Sequence, residues 1–147
     1  MSAAGASVRE RAARSQLAPG EQLLSYALVV PVKNARGVSV NVGGMVGNAI
    51  MRNVGAQGGG HGSIAASCPD VSRGLVLRVT TQRVGLVNNL DGTPVWEIPR
   101  NWVARVERRP RLQLMARFRV HYADGSWLAF MTFRRRTIES FRAVLGG

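Results

Sequence analysis

Two histidines, one cysteine and eight acidic residues are the chain's first candidates for acid–base or metal-binding chemistry. A side-chain nucleophile needs a base within hydrogen-bond reach and an acid to orient that base. His61 stands in Gly58-Gly59-Gly60-His61-Gly62, where a fixed geometry is hard to hold. His121 falls on the polar side of an alternating segment, among arginines, and reads as a surface imidazole. Cys68 precedes Pro69 in a loop and reads as an inert thiol. No His, Cys, Asp or Glu cluster has metal-ligand spacing, and the acids form no evident carboxylate pair. The glycine-rich segment lacks the closing Gly-Lys-Ser/Thr of a phosphate loop. The expectation is a binding protein with no catalytic residues, no metal and no cofactor.

The chemistry that the sequence does offer is cationic. The formal charge is +12 and the pI is near 11.8. Such a field attracts nucleic acid, anionic lipid or an acidic protein. Lys33 is the only lysine; this bias, with abundant Ala, Gly and Val, also fits GC-rich codons and a basic surface that is simply solvated. Two groups are candidates for anion binding. Arg105, Arg108, Arg109 and Arg111 surround Pro110, read as a turn, and Arg117 and Arg119 with His121 continue along the next strand as one stripe. The second group is Arg134-Arg135-Arg136, just before the last helix. Cations there oppose the helix dipole at a cost of ~0.3–1 kcal/mol. A bound anion would remove the conflict and meet the free N–H groups. Trp96, Trp102 and Trp127 have the faces to stack on bases, but in alternating strands they read as core.

The elements that must position these groups are mainly strands. Residues 1–16 carry Arg9, Arg11 and Arg14 without an adequate apolar face and read as a basic, disordered tail, with a frayed helix as the alternative. Residues 17–147 read as one domain, at a length usual for one. Pro19-Gly20 makes a turn into a first strand, Leu23 to Val32. From Gly74 onward short runs recur: 75–80, 83–87, 95–98 and 102–106. A fifth run places Leu112, Leu114, Ala116, Phe118, Val120 and Tyr122 on one face, and period two over that length means one face in the core. Asn88 to Gly92 and Ala123 to Ser126 are turn signals, and Trp127 to Phe133 is a sixth run. The period then changes: Ile138, Phe141 and Leu145 mark an amphipathic helix at about 136–145, which lies over the open end of the sheet. Several short strands at this spacing indicate an antiparallel sandwich or barrel.

Residues 33–72 interrupt this pattern as a glycine-rich insertion. Val46, Ile50 and Val54 recur at helical spacing, with Gly43 and Gly47 four apart. Together with Met45 and Met51 they form an apolar set that calls for a partner when exposed. Residues 43–54 are expected to be helical and buried, against the domain itself or in a contact between subunits; a plain flexible loop and a membrane contact are the alternatives. Excision of residues 37–62 is expected to leave the strands intact.

The matching features are Gly20-Glu21 before the first strand, a strand running into Thr80 to Leu86, Trp96-Glu97-Ile98-Pro99, the Asp124-Gly125-Ser126 turn and the closing helix. In this order they resemble the PH superfold, in particular bacterial PH-like and GRAM-type domains, over residues 17–32 and 73–146. The resemblance implies a seven-strand, barrel-like sandwich with one open corner plugged by the C-terminal helix. It also implies binding of lipids, phosphorylated head groups or proteins rather than catalysis. In lipid-binding PH domains the phosphate site lies largely around the loop after the first strand. Here that loop is the insertion, which offers only the widely spaced Lys33, Arg36, Arg52 and Arg73.

With one cysteine no internal disulfide forms, which suits a reducing cytoplasm. The N-terminus has no signal-peptide run, and the longest apolar stretch is about half of the ~20 residues that a membrane span needs. The expectation is a bacterial, cytoplasmic protein, peripheral to a membrane if it meets one. Its function is expected to be a non-enzymatic PH-like interaction domain for a protein partner or an anionic lipid surface. The alternatives are a nonspecific nucleic-acid-binding protein and a structural homo-oligomer assembled through the insertion.

Overall fold

The computed structural model describes residues 7–32, 57–69, 74–112 and 115–147, with backbone alone at Arg111 and Leu112. The chain is mainly β. Helix α1 (Val8–Ala13) is followed by β1 (Leu23–Pro31), β2 (Gln57–Gly58) and a short 3-10 turn at Ala65–Ser67. Then come β3 (Leu75–Thr80), β4 (Arg83–Asn88), β5 (Pro94–Pro99), β6 (Val103–Leu112), β7 (Met115–Tyr122), β8 (Trp127–Thr132) and α2 (Arg135–Leu145). All strand pairs are antiparallel, in the order β5-β4-β3-β1-β8-β7-β6. Strand β1 belongs to both halves: Leu23 to Val29 pair with β3, while Val30 and Pro31 pair with Met131 and Phe130 of β8.

This is the expected antiparallel sandwich, closed by a helix. Ala116, Phe118, Val120 and Tyr122 of β7 are all buried, as their alternation requires. Phe118 stacks on Phe130 at 5.5 Å and meets Phe141 of α2 at 5.7 Å. Ile138 and Phe141 anchor α2 with no exposure at all. The helix is tied further where Ser25 and Ser140 share a 2.7 Å hydroxyl bond and Val106 N–H donates to Gly146 O. The turns fall where their chemistry places them, with Gly92 at φ 76° and Gly125 at φ 87°. Left-handed backbone favours glycine at both.

Four expectations need correction. First, the tail is not disordered over residues 7–16: Ser7 Oγ accepts from Glu10 N–H at 2.9 Å and starts α1. Ala12 and Ala13 are buried, Ala13 against Val76 and Val87 on the outer side of the first sheet. Strand β3 is therefore buried on both faces along its whole length. Second, Pro110 is not a turn; it lies inside β6, the edge strand, where its missing N–H leaves no ladder bond unmade. Third, Leu112 belongs to β6, where it pairs with Met115, so β7 begins at Met115 and its buried face at Ala116. Fourth, the interruption is shorter than 33–72. Gln57 and Gly58 pair with Leu128 and Trp127 of β8, and Ala65 and Cys68 are buried in the core. Along β8, β1 ends opposite Phe130 and β2 begins opposite Leu128, so the two continue one line of pairing with a single position between them.

Among the described residues no helix is long and apolar enough to cross a membrane.

Candidate anion-binding surface

The register sorts the first arginine group. Cross-strand partners are Arg105↔His121, Glu107↔Arg119 and Arg109↔Arg117, which places these six side chains on the outer face of β6–β7. Arg108 opposes the buried Phe118 instead and leaves the stripe; it reaches Glu139 of α2 at 3.2 Å. Arg109 Nη1 donates to Glu107 Oε2 at 3.1 Å, and His121 Nε2 lies 2.8 Å from Glu107 Oε1. The His121 hydrogen bond lowers the Glu107 pKa despite burial, and Arg109 adds to the effect. Arg117 Nε donates to Pro110 O at 2.9 Å. Arg119 lies 3.7 Å over the Trp127 ring, a cation–π contact. Burial, and then the charge of Arg109, lower the pKa of both Arg117 and Arg119. Arg109 and Arg117 are like charges directly opposed, an unfavourable cross-strand pair. The side chain of Arg111 and the residues Met45, Val46, Ile50, Met51 and Val54 lie outside the described residues.

The second group is positioned by the end of β8 and the start of α2. Arg134 occupies the N-cap with an extended backbone and no capping side chain, and no acid stands in the first turn. Arg134, Arg135 and Arg136 are all exposed, and none of their side chains makes a hydrogen bond or ion pair among the described residues. Phe133, next to them, is 59% exposed. Nothing described in the protein relieves the conflict between these cations and the helix dipole. A groove of about 440 Å³ opens beside them, lined by Arg9, Tyr26, Leu28, Phe133, Arg134 and Thr137 among others.

Sequence reasoning missed a third group. Arg78, wholly buried, donates to Glu97 Oε2 at 2.8 Å and to the carbonyls of Ala13 and Ser15 at 2.9 and 2.6 Å. Arg83 grips both oxygens of Glu21, donates to Glu97 Oε1 at 2.7 Å and reaches Gln16 O at 2.6 Å. Burial works to raise the Glu21 pKa. Hydrogen bonds from Arg83, Thr80 and the Ala18 amide, with the charge of Arg83, outweigh it and bring the pKa from 4.5 to about 2. The signal was present in β3: Arg78 stands among Val76, Leu77 and Val79 in a strand that carries no other charge.

The remaining candidates are placed separately. His61 is exposed in a turn, and Cys68 is buried. Trp96 is half-buried, edge-on to Tyr122, and its Nε1 donates to Ser67 Oγ. Trp127 is held between Gly58 and Arg119, so its ring is already covered. Trp102, expected in the core, is 44% exposed. Among the described residues no group of three His, Cys, Asp or Glu side chains converges. A second groove, of about 570 Å³, is lined by Thr81, Gln82, Arg100, Asn101, Val103 and the end of α2. There Arg100 donates to Val144 O and so serves the helix C-terminus.

No protein-family model matches the chain, and no curated protein matches its sequence.

Proposed function

We propose that the chain is a non-enzymatic, PH-like interaction domain that docks on an anionic membrane surface. The PH-like reading is supported by the division of the strands: β1, β3, β4 and β5 on one side, β6 to β8 on the other, and β1 pairing with both. The closing helix packs on β1, β6 and β7, in keeping with a plugged corner. The observation that carries the docking reading is the set Arg134, Arg135 and Arg136, exposed and unpartnered beside the exposed Phe133. Cations near an anionic bilayer contribute ~1 kcal/mol each, and an aromatic side chain at the same place can enter the interface.

The test is cosedimentation with phosphatidylcholine vesicles, with and without phosphatidylglycerol. Binding is expected only with the anionic lipid, and it weakens as salt rises. Changing Arg134, Arg135 and Arg136 together to Gln should cost about 3 kcal/mol, on the order of a hundredfold in affinity. Equal binding to neutral vesicles, an unaffected triple variant, or tight sequence-selective DNA binding would each overturn the reading.

A further inference from the structure

We infer that Arg9 of α1 and Arg134 at the start of α2 are the two walls of one lipid-phosphate site, so that the N-terminal segment is half of the docking surface. The inference rests on the membrane reading above and adds a second element to it. The two arginines are 125 positions apart in sequence, yet they line the same groove. Both are exposed, and neither guanidinium has a hydrogen bond or ion pair among the described residues. No acid lines the groove with them. The acids nearest in sequence are engaged elsewhere: Glu10 holds Arg14, and Glu139 holds Arg108 and Arg142. Two like charges on one groove without a counter-charge repel each other, and an anion between them reverses the sign of that interaction. Tyr26 and Thr137, also on the lining, bring two hydroxyl groups with no partner among the described residues. Hydroxyl donors of this kind suit phosphate oxygens.

The choice of a lipid over a soluble phosphate or an acidic peptide follows from what stands beside each cation. Val8 precedes Arg9 and is 46% exposed; Phe133 precedes Arg134 and is 59% exposed. Phe133 lines the groove with Arg134, and Val8 is exposed at the neighbouring position to Arg9, outside the lining. A soluble anion would meet the charges and leave both apolar groups in water. A bilayer offers phosphate and hydrocarbon within one interface.

The geometry depends on α1 being held in place. A helix of six residues does not persist by itself. Arg78 and Arg83 pin it by donating to the carbonyls of Ala13, Ser15 and Gln16.

The experiment compares Arg9→Gln, Arg134→Gln, the double variant and Phe133→Ser on phosphatidylglycerol-containing vesicles, with circular dichroism to confirm that each is folded. All three positions are exposed, so the fold is expected to survive. Arg9→Gln should weaken binding about fivefold. Its effect should shrink in the Arg134→Gln background, because the two share one phosphate. Phe133→Ser should weaken binding on the order of tenfold through lost apolar burial. If the triple change at 134–136 abolishes binding while Arg9→Gln has no effect, the two-walled site is wrong and the docking reading stands. If neither matters, both fail. If inorganic phosphate displaces the vesicles and Phe133→Ser changes nothing, the groove is a free-phosphate site and the lipid inference is overturned.

Discussion

Arginines laid against the sheets and arginines at the start of α2 are the same residue type in opposite situations. On the sheets most have something to do: Arg78 and Arg83 bind carboxylates and carbonyls, Arg109 binds Glu107, Arg117 binds a backbone oxygen, and Arg119 covers Trp127, while Arg105 alone of the β6–β7 stripe's described side chains is exposed without a partner among the described residues. At the start of α2, Arg134, Arg135 and Arg136 face a positive helix end with no partner among the described residues. The difference teaches that formal charge does not measure binding capacity. A cation already hydrogen-bonded within the fold must give up those bonds to meet a ligand, whereas an unpartnered one has only water to lose.

That contrast can be sharpened first at its strongest point. Glu97→Gln removes the charge facing the wholly buried Arg78 and should destabilise the protein by about 3–5 kcal/mol, the usual effect of stripping one partner from a buried pair. A urea midpoint equal to the parent's would show that the network holds nothing together. Next is acid. The Glu21 pKa is depressed in the folded state, so its contribution is complete above the unfolded value of 4.5 and is lost as pH falls through about 2. The loss amounts to about 3 kcal/mol. Thermal melts across that window should fall for the parent and stay flatter for Glu21→Gln.

Gly58→Ala moves an engaged arginine toward the free class. The new methyl would run into Trp127 Nε1, so the indole must shift from beneath Arg119. A loss of about 1–3 kcal/mol is expected, with a red shift in tryptophan emission; an unchanged spectrum would contradict the packing. A smaller effect is expected at α2, where Arg135→Glu puts an acid into the first turn and should stabilise the helix by ~0.3–1 kcal/mol while weakening vesicle binding. The smallest is an excision of residues 33–56, which joins Val32 to Gln57 opposite Ala129 and makes β1 and β2 one strand. Stability should change by less than ~1 kcal/mol, since loop length enters only logarithmically. The wider excision of 37–62 would remove β2 and strip Trp127 of its cover, so it is expected to destabilise.

Much of the fold was legible because its signals are local. The period-two runs of β3, β4, β5, β7 and β8, the glycine turns at Gly92 and Gly125 and the 3.6-residue period of α2 each sit within a dozen residues. Helix α1 was not, because its apolar face is little more than Ala12 and Ala13. Those residues count only when a sheet surface such as Val76 and Val87 is brought against them. Pro110 misled because a proline fits a turn and an edge strand alike, and only the strand order says which strand is at the edge. Of the candidate site, Arg134 to Arg136 were legible from their place before a helix. Arg9 was not, since its relation to Arg134 exists only in the folded chain.

The sequence by itself determined where strands alternate, where glycine must turn the chain and where the period changes to a helix, because each of these follows from the sterics of neighbouring residues. Tertiary structure alone decided which arginines keep their charge free. Whether a guanidinium meets a carboxylate, a carbonyl, an indole or water depends on register and on partners distant in sequence, and nothing in the local pattern carries that information.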